Sequence, residues 1–242
     1  MNSTTDRRPT PVATTSSPLP EAPPGDEREL LERANELAGK SLGDLAARAG
    51  VPVPDNLHRA KGWVGELLEL LLGATAQSRP VPDFEALGIE LKTLPLNARQ
   101  QPQESTFVSA VPLADVTGLQ WSNSPVRAKL ACVLWIPVEA AREIPLERRR
   151  IGSPILWRPS PQEDAILRAD WEEHIEHIAL GRLEELDARM GTYLQVRPKA
   201  FTRDDRTATF GADGAPVTSL PRGFYLRTAL TRKILARTLH RD

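Results

Sequence analysis

An α/β fold, with helices alternating with short strands, is predicted from three observations. Apolar residues recur at helical spacing in several stretches that open on capping residues. Short apolar runs of strand length fall between them. At 242 residues the chain can form one large domain or two small lobes, each with a real core.

Taken in order, residues 1–25 carry six of the 22 prolines among Ser and Thr, with almost nothing to bury, and are expected to be a disordered tail. Order is expected from Asp26, which can cap a helix with Glu29 in the capping-box position. Leu30, Leu31, Ala34, Leu37 and Ala38 form its stripe, and Gly39 ends it. Residues 41–51 look like the first helix and turn of a helix-turn-helix. Pro52 and Pro54 block the recognition helix that would have to follow, so helix packing is the better reading. Residues 62–72 read as a helix burying Val64, Leu67, Leu68 and Leu71, with Glu66 and Glu69 one turn apart. Periodicity leaves Glu69 open between a surface carboxylate, which it slightly favours, and an acid turned inward.

Strands are expected at 89–94, 106–111, 131–138 and 151–157, the last entered through Arg148, Arg149 and Arg150. A helix starting near Pro125 carries Arg127 and Lys129. Ser160, Pro161 and Glu163 open a long helix whose stripe is Leu167, Trp171, Ile175 and Ile178. His174 and His177 on it have a spacing that can hold a metal, but no third ligand is evident, so they read as solvated or packing residues. Residues 193–197 follow as a strand, then a polar loop, the segment 220–226 and a basic terminal helix. Gly223 would let the backbone approach a partner, with Phe224 and Tyr225 beside it for base contact. A tight turn with two core aromatics is the plainer alternative.

The chemistry concentrates in residues 61–94. Pro82 and Asp83 are followed by Glu90, Leu91 and Lys92, set among Phe84, Leu87, Ile89 and Leu94. On a strand, Glu90 and Lys92 point the same way, roughly 6 to 7 Å apart. Residues 85–88 can fold Asp83 back beside Glu90. Two carboxylates brought together call for a cation, and Mg2+ takes such a site with water and phosphate oxygens as its other ligands. A lysine beside it can orient or deprotonate the attacking water, or neutralise charge building on a phosphate. As a bare pattern PD followed by E-x-K recurs by chance in many chains; its apolar setting gives it weight, because an edge meant for solubility would not carry its charges between leucines. The chemistry suggested is phosphodiester hydrolysis.

Composition bounds the partners. With 31 basic and 32 acidic residues the net charge of -1 announces no nucleic acid. Between residues 197 and 241, however, ten Lys/Arg stand against three acids, as on a surface for phosphates. The single Cys132 lies in an apolar run, which fits a buried thiol in a reducing compartment. No segment has transmembrane length and the N-terminus lacks a signal-peptide core, so a cytoplasmic location without a membrane partner is expected.

The segments KGWVGELLE, PDFEALGIELKTLP, VLWIPVE, IGSPILW, YLQVRPKA and LPRGFYL, in that order, closely resemble the MutH family of methyl-directed mismatch-repair endonucleases, from about Leu30 to His240. The resemblance implies a restriction-endonuclease-like mixed sheet flanked by helices, in two lobes forming a DNA cleft: a catalytic lobe at about 26–125 and a recognition lobe at about 126–242. It implies that Asp83 and Glu90 hold Mg2+, that Lys92 is the catalytic lysine, that Glu69 assists and that Lys129 lies near the active site. It implies that Phe107, Arg197, Lys199 and Tyr225 approach DNA, the tyrosine sensing adenine methylation. Arg222, beside Gly223, is counted with them. The implied activity is nicking of the unmethylated strand at hemimethylated GATC by a monomer, activated by MutL, with MutS acting indirectly. The 201–217 loop is where carry-over is weakest. The rivals are a type II restriction endonuclease of the same fold, cutting both strands of a short palindrome, and a non-catalytic DNA-binding regulator.

Overall fold

The computed structural model describes residues 19–56, 60, 62–77, 79–199 and 204–238. Most of the expected tail, Lys61 and the start of the 201–217 segment therefore lie outside the described residues. Helices α1 (Glu27–Leu37), α2 (Leu42–Ala49) and α3 (Trp63–Leu72) come first, followed by strands β1 (Glu90–Leu96) and β2 (Thr106–Ala110). Helix α4 (Pro125–Leu130), β3 (Val133–Glu139), β4 (Ile155–Trp157) and the long α5 (Pro161–Ala179) occupy the middle. β5 (Leu194–Pro198), β6 (Thr207–Phe210), β7 (Pro216–Ser219), β8 (Arg222–Leu226) and α6 (Thr228–Thr238) complete the described chain.

Local chemistry explains the helix starts. The side chains of Asp26, Ser41, Ser124 and Ser160 each accept the backbone N–H three residues on, and Ser160 and Glu163 form a reciprocal capping box with Pro161 in the first turn. The helix after α2 is α3, which begins only at Trp63, well beyond a helix-turn-helix turn, and α2 packs against it.

Among the described residues the strands form two three-stranded sheets and one two-stranded hairpin. β1 and β3 run parallel, with Glu90 opposite Val133, and β4 adds antiparallel to β3, making this sheet mixed. β8 is the central strand of an antiparallel sheet between β2 and β5. β4 is shorter than the strand expected at 151–157, with Ile151 making only an isolated bridge to Val138. The polar loop expected after residue 200 is corrected as well: β6 and β7 pair as a hairpin within it, anchored where Thr209 Oγ1 donates to the Leu113 carbonyl at 2.9 Å.

Each face of the first sheet has its own core. Ile89 and Leu91 join α1, α2 and α3, whereas Leu94 and Leu96 join β3, β4, α5 and the second sheet. That is the alternation expected of β1, and it turns Glu90 and Lys92 toward the side on which the second sheet packs. β1 belongs with β3 and β4, while β2 belongs with β8 and β5. The buried Asp170 on α5 fixes the start of β5 by accepting the N–H groups of Thr192, Tyr193 and Leu194 at 2.8, 2.6 and 2.8 Å. His174, one turn on, is fully buried with Nε2 3.2 Å from the Leu194 carbonyl, so it is a packing residue.

Candidate active site

Glu90 is 1% exposed. A carboxylate so placed is costly unless paired, and it is paired twice. Lys92 Nζ lies 2.6 Å from Oε1, and Lys129 Nζ reaches across from α4 to both oxygens, at 2.9 and 3.0 Å. Asp83 is buried on the connection before β1. The three-residue turn Glu85–Leu87, closed by Gly88 at φ 64°, folds it back so that Oδ2 accepts the Leu91 N–H at 2.8 Å. Burial first, then the charge of Glu90, push the Asp83 carboxyl above its ordinary range, against the Leu91 hydrogen bond and the two lysines. Glu69 on α3 turns inward far enough that burial, then Asp83, Glu66 and Glu90, raise its carboxyl too. Glu69 is half-buried, between the surface and the inward readings.

The second sheet presents a different surface. β2, β8 and β5 bring Phe107, Tyr225 and Arg197 onto its outer face. The rings of Phe107 and Tyr225 meet edge to face with centroids 5.4 Å apart, Arg197 Cζ lies 5.7 Å from the Tyr225 ring and Lys199 Nζ stands 3.5 Å from the Phe107 ring. Arg197 also donates to Ser105 Oγ at 2.8 Å. Burial and then the nearby Lys92 lower the Lys199 ammonium, so this cationic face adjoins the carboxylate site. Arg222 stands apart: period two places it on the side of Phe224 and Leu226, and its Nε is buried.

Gly223 is read differently in the structure than in the sequence. Phe224 is core at 1% exposure, and the aromatic partner of Tyr225 is Phe107. A Cβ at residue 223 would lie 2.9 Å from Phe107 and 3.0 Å from Tyr225, so the glycine makes room for the chain's own rings.

The family model of the DNA mismatch repair enzyme MutH matches residues 72–170, which span Asp83, Glu90, Lys92, Phe107 and Lys129. The chain is 53% identical over 218 residues to a DNA mismatch repair protein MutH of Photorhabdus laumondii, covering 90% of this chain and 96% of that one. It is 54% identical over 214 residues to its Vibrio cholerae counterpart, covering 88% and 97%, and 52% identical over 219 residues to that of Yersinia pseudotuberculosis, covering 90% and 96%. The chain belongs to the MutH family.

For a MutH-family mismatch-repair endonuclease, the donor set suits a hard divalent cation. Asp83 and Glu90 lie close enough for the charge of one to act on the other, and burial first, then neighbouring carboxylates, raise the carboxyls of Asp83 and Glu69; a divalent cation would offset both effects. Among the described residues no group of three or more His, Cys, Asp or Glu side chains is placed to hold a metal ion. No helix among the described residues is long and apolar enough to cross a membrane. Two features had no local sequence signal. Ser105 holds Arg197 across 92 positions, and Lys199 comes near Lys92 only because the second sheet packs on that face of β1.

Proposed function

We propose that this MutH-family chain nicks the unmethylated strand at hemimethylated GATC sites by Mg2+-dependent phosphodiester hydrolysis, acting as a monomer activated by MutL, with MutS upstream of MutL. One observation carries the reading: two buried carboxylates and two lysines converge at the start of β1, beside a sheet face that offers rings and cations. Asp83 and Glu90 would hold the ion, which when bound lowers the pKa of water and draws charge from a phosphate. Lys92, confined to the same strand face as Glu90, donates hydrogen bonds to the attacking water or to a phosphate oxygen. Lys129 adds positive charge beside it, and Glu69 adds a carboxyl able to carry a proton near the reaction.

Recognition is assigned to Phe107, Arg197, Lys199 and Tyr225, with Arg222 left aside because it lies on the opposite face of β8. An adenine methyl group projects into the major groove, where the half-buried Tyr225 can sense it by shape and by a displaced hydrogen bond. Since GATC is a palindrome, only methylation distinguishes its strands, and a monomer with one such site cuts one at a time. The test is nicking of unmethylated, hemimethylated and fully methylated GATC duplexes, with and without Mg2+ and MutL. Single-strand nicks in the first two, stimulated by MutL, are expected. Rapid linearisation of supercoiled plasmid without MutL would favour the restriction-enzyme reading instead.

A further inference from the structure

Glu90 is held by two lysines that are not equivalent. Lys92 is its neighbour at period two on β1, so their proximity is built into the strand. Lys129 comes from a separate element 39 residues away, at the end of the six-residue helix α4, and spans both oxygens of the carboxylate. Its long flexible stem can withdraw the ammonium by side-chain rotation alone, with the backbone of α4 left in place. Its charge also counters the repulsion between Asp83 and Glu90. These are the duties of a cation at a two-carboxylate site, performed by a group of the protein itself.

We infer that Lys129 is the resident counter-ion of Glu90 and must release it for a divalent cation to bind, so that this lysine sets the metal affinity of the site. The inference rests on the assignment of Asp83 and Glu90 as the metal-holding pair. The resident ammonium keeps the carboxylates compatible with a folded, metal-free protein. Its cost is competition, because every ion bound at Glu90 has to replace a charge-assisted contact made at 2.9 and 3.0 Å. Once released, Lys129 has its donors free for phosphate oxygens at the same site.

The test is calorimetric titration of the full chain, without DNA, with Mn2+. Lys129→Met keeps the length of the side chain and removes the charge; Lys129→Arg keeps the charge. Lys129→Met is expected to bind Mn2+ at least about tenfold more tightly than the unmodified chain, with Lys129→Arg near the unmodified value. Thermal melts supply a second readout: metal-free Lys129→Met should melt lower and gain more from saturating Mn2+. If the Met variant does not fold, Lys129→Gln is titrated in its place. Equal or weaker Mn2+ binding by the charge-neutral variant overturns the inference, provided that Asp83→Asn abolishes binding in the unmodified chain. Binding that survives Asp83→Asn, or no binding at all, overturns the metal assignment and the inference with it.

Discussion

The two sheets handle charge in opposite ways. At the β1–β3–β4 sheet the carboxylates are buried and the lysines half-buried around them: Glu90 at 1% exposure, Asp83 on a backbone N–H, Lys92 and Lys129 within hydrogen-bond reach of one carboxylate. On the β2–β8–β5 sheet Arg197 and Lys199 lie over aromatic rings, and Arg197 is open to solvent. The first arrangement is held by compensation, so changing any one charge unbalances the rest. The second is held by ring packing and is ready to exchange its contacts for those of a partner. A reaction centre needs the first kind of order and a reading surface the second.

That contrast is broken most severely by removing charge from the first sheet. Glu90→Ala and Lys92→Ala should each lower the nicking rate on the order of 10³-fold or more while leaving metal-free DNA binding nearly intact. Loss of binding in parallel would make these residues structural. On the second sheet, Tyr225→Ala or Phe107→Ala should weaken GATC-specific binding by roughly 10- to 100-fold, measured against a duplex lacking GATC, with Mn2+ affinity unchanged.

Gly223→Ala sharpens the comparison without touching a charge. The added methyl meets Phe107 at 2.9 Å and Tyr225 at 3.0 Å and has to displace the ring pair. Stability should fall by about 1–3 kcal/mol in denaturant melts and specific binding should drop, again with metal affinity retained. The smallest effect concerns His174, under the second sheet. Burial holds its ring below the ordinary histidine range, despite the Leu194 carbonyl and the charges of Asp170 and Glu173. The folded state therefore takes up a proton less readily than the unfolded one. Its contribution is present above about pH 6.5 and is lost as the pH falls from there toward the folded value. In melts from pH 7.5 to 5, His174→Gln should show a shallower decline than the unmodified chain.

Much of the first sheet was legible in the sequence because its signals are local. The alternation of Ile89, Glu90, Leu91 and Lys92 sets the faces of β1, and the capping residues Asp26 and Ser160 set helix starts. What remained hidden depends on pairing over long sequence separations. Phe107 meets Tyr225 through the register of β2 on β8, so the role of Gly223 was read from the wrong neighbour. The hairpin of β6 and β7 carries no strand signal in the sequence, because its strands are short, mostly exposed and poor in apolar alternation. The approach of Lys129 to Glu90 follows from the parallel pairing of β1 with β3, which brings the end of α4 alongside; residue spacing carries no trace of it.

The central claim, that Asp83 and Glu90 create a metal-dependent cutting site on β1, is tested most directly by adding Mg2+ to a preformed, metal-free complex with a hemimethylated GATC duplex in the presence of MutL. The unmodified chain should cut the unmethylated strand on addition, and Asp83→Ala, bound to the same extent beforehand, should leave both strands intact. Cutting by Asp83→Ala at the unmodified rate would contradict the account.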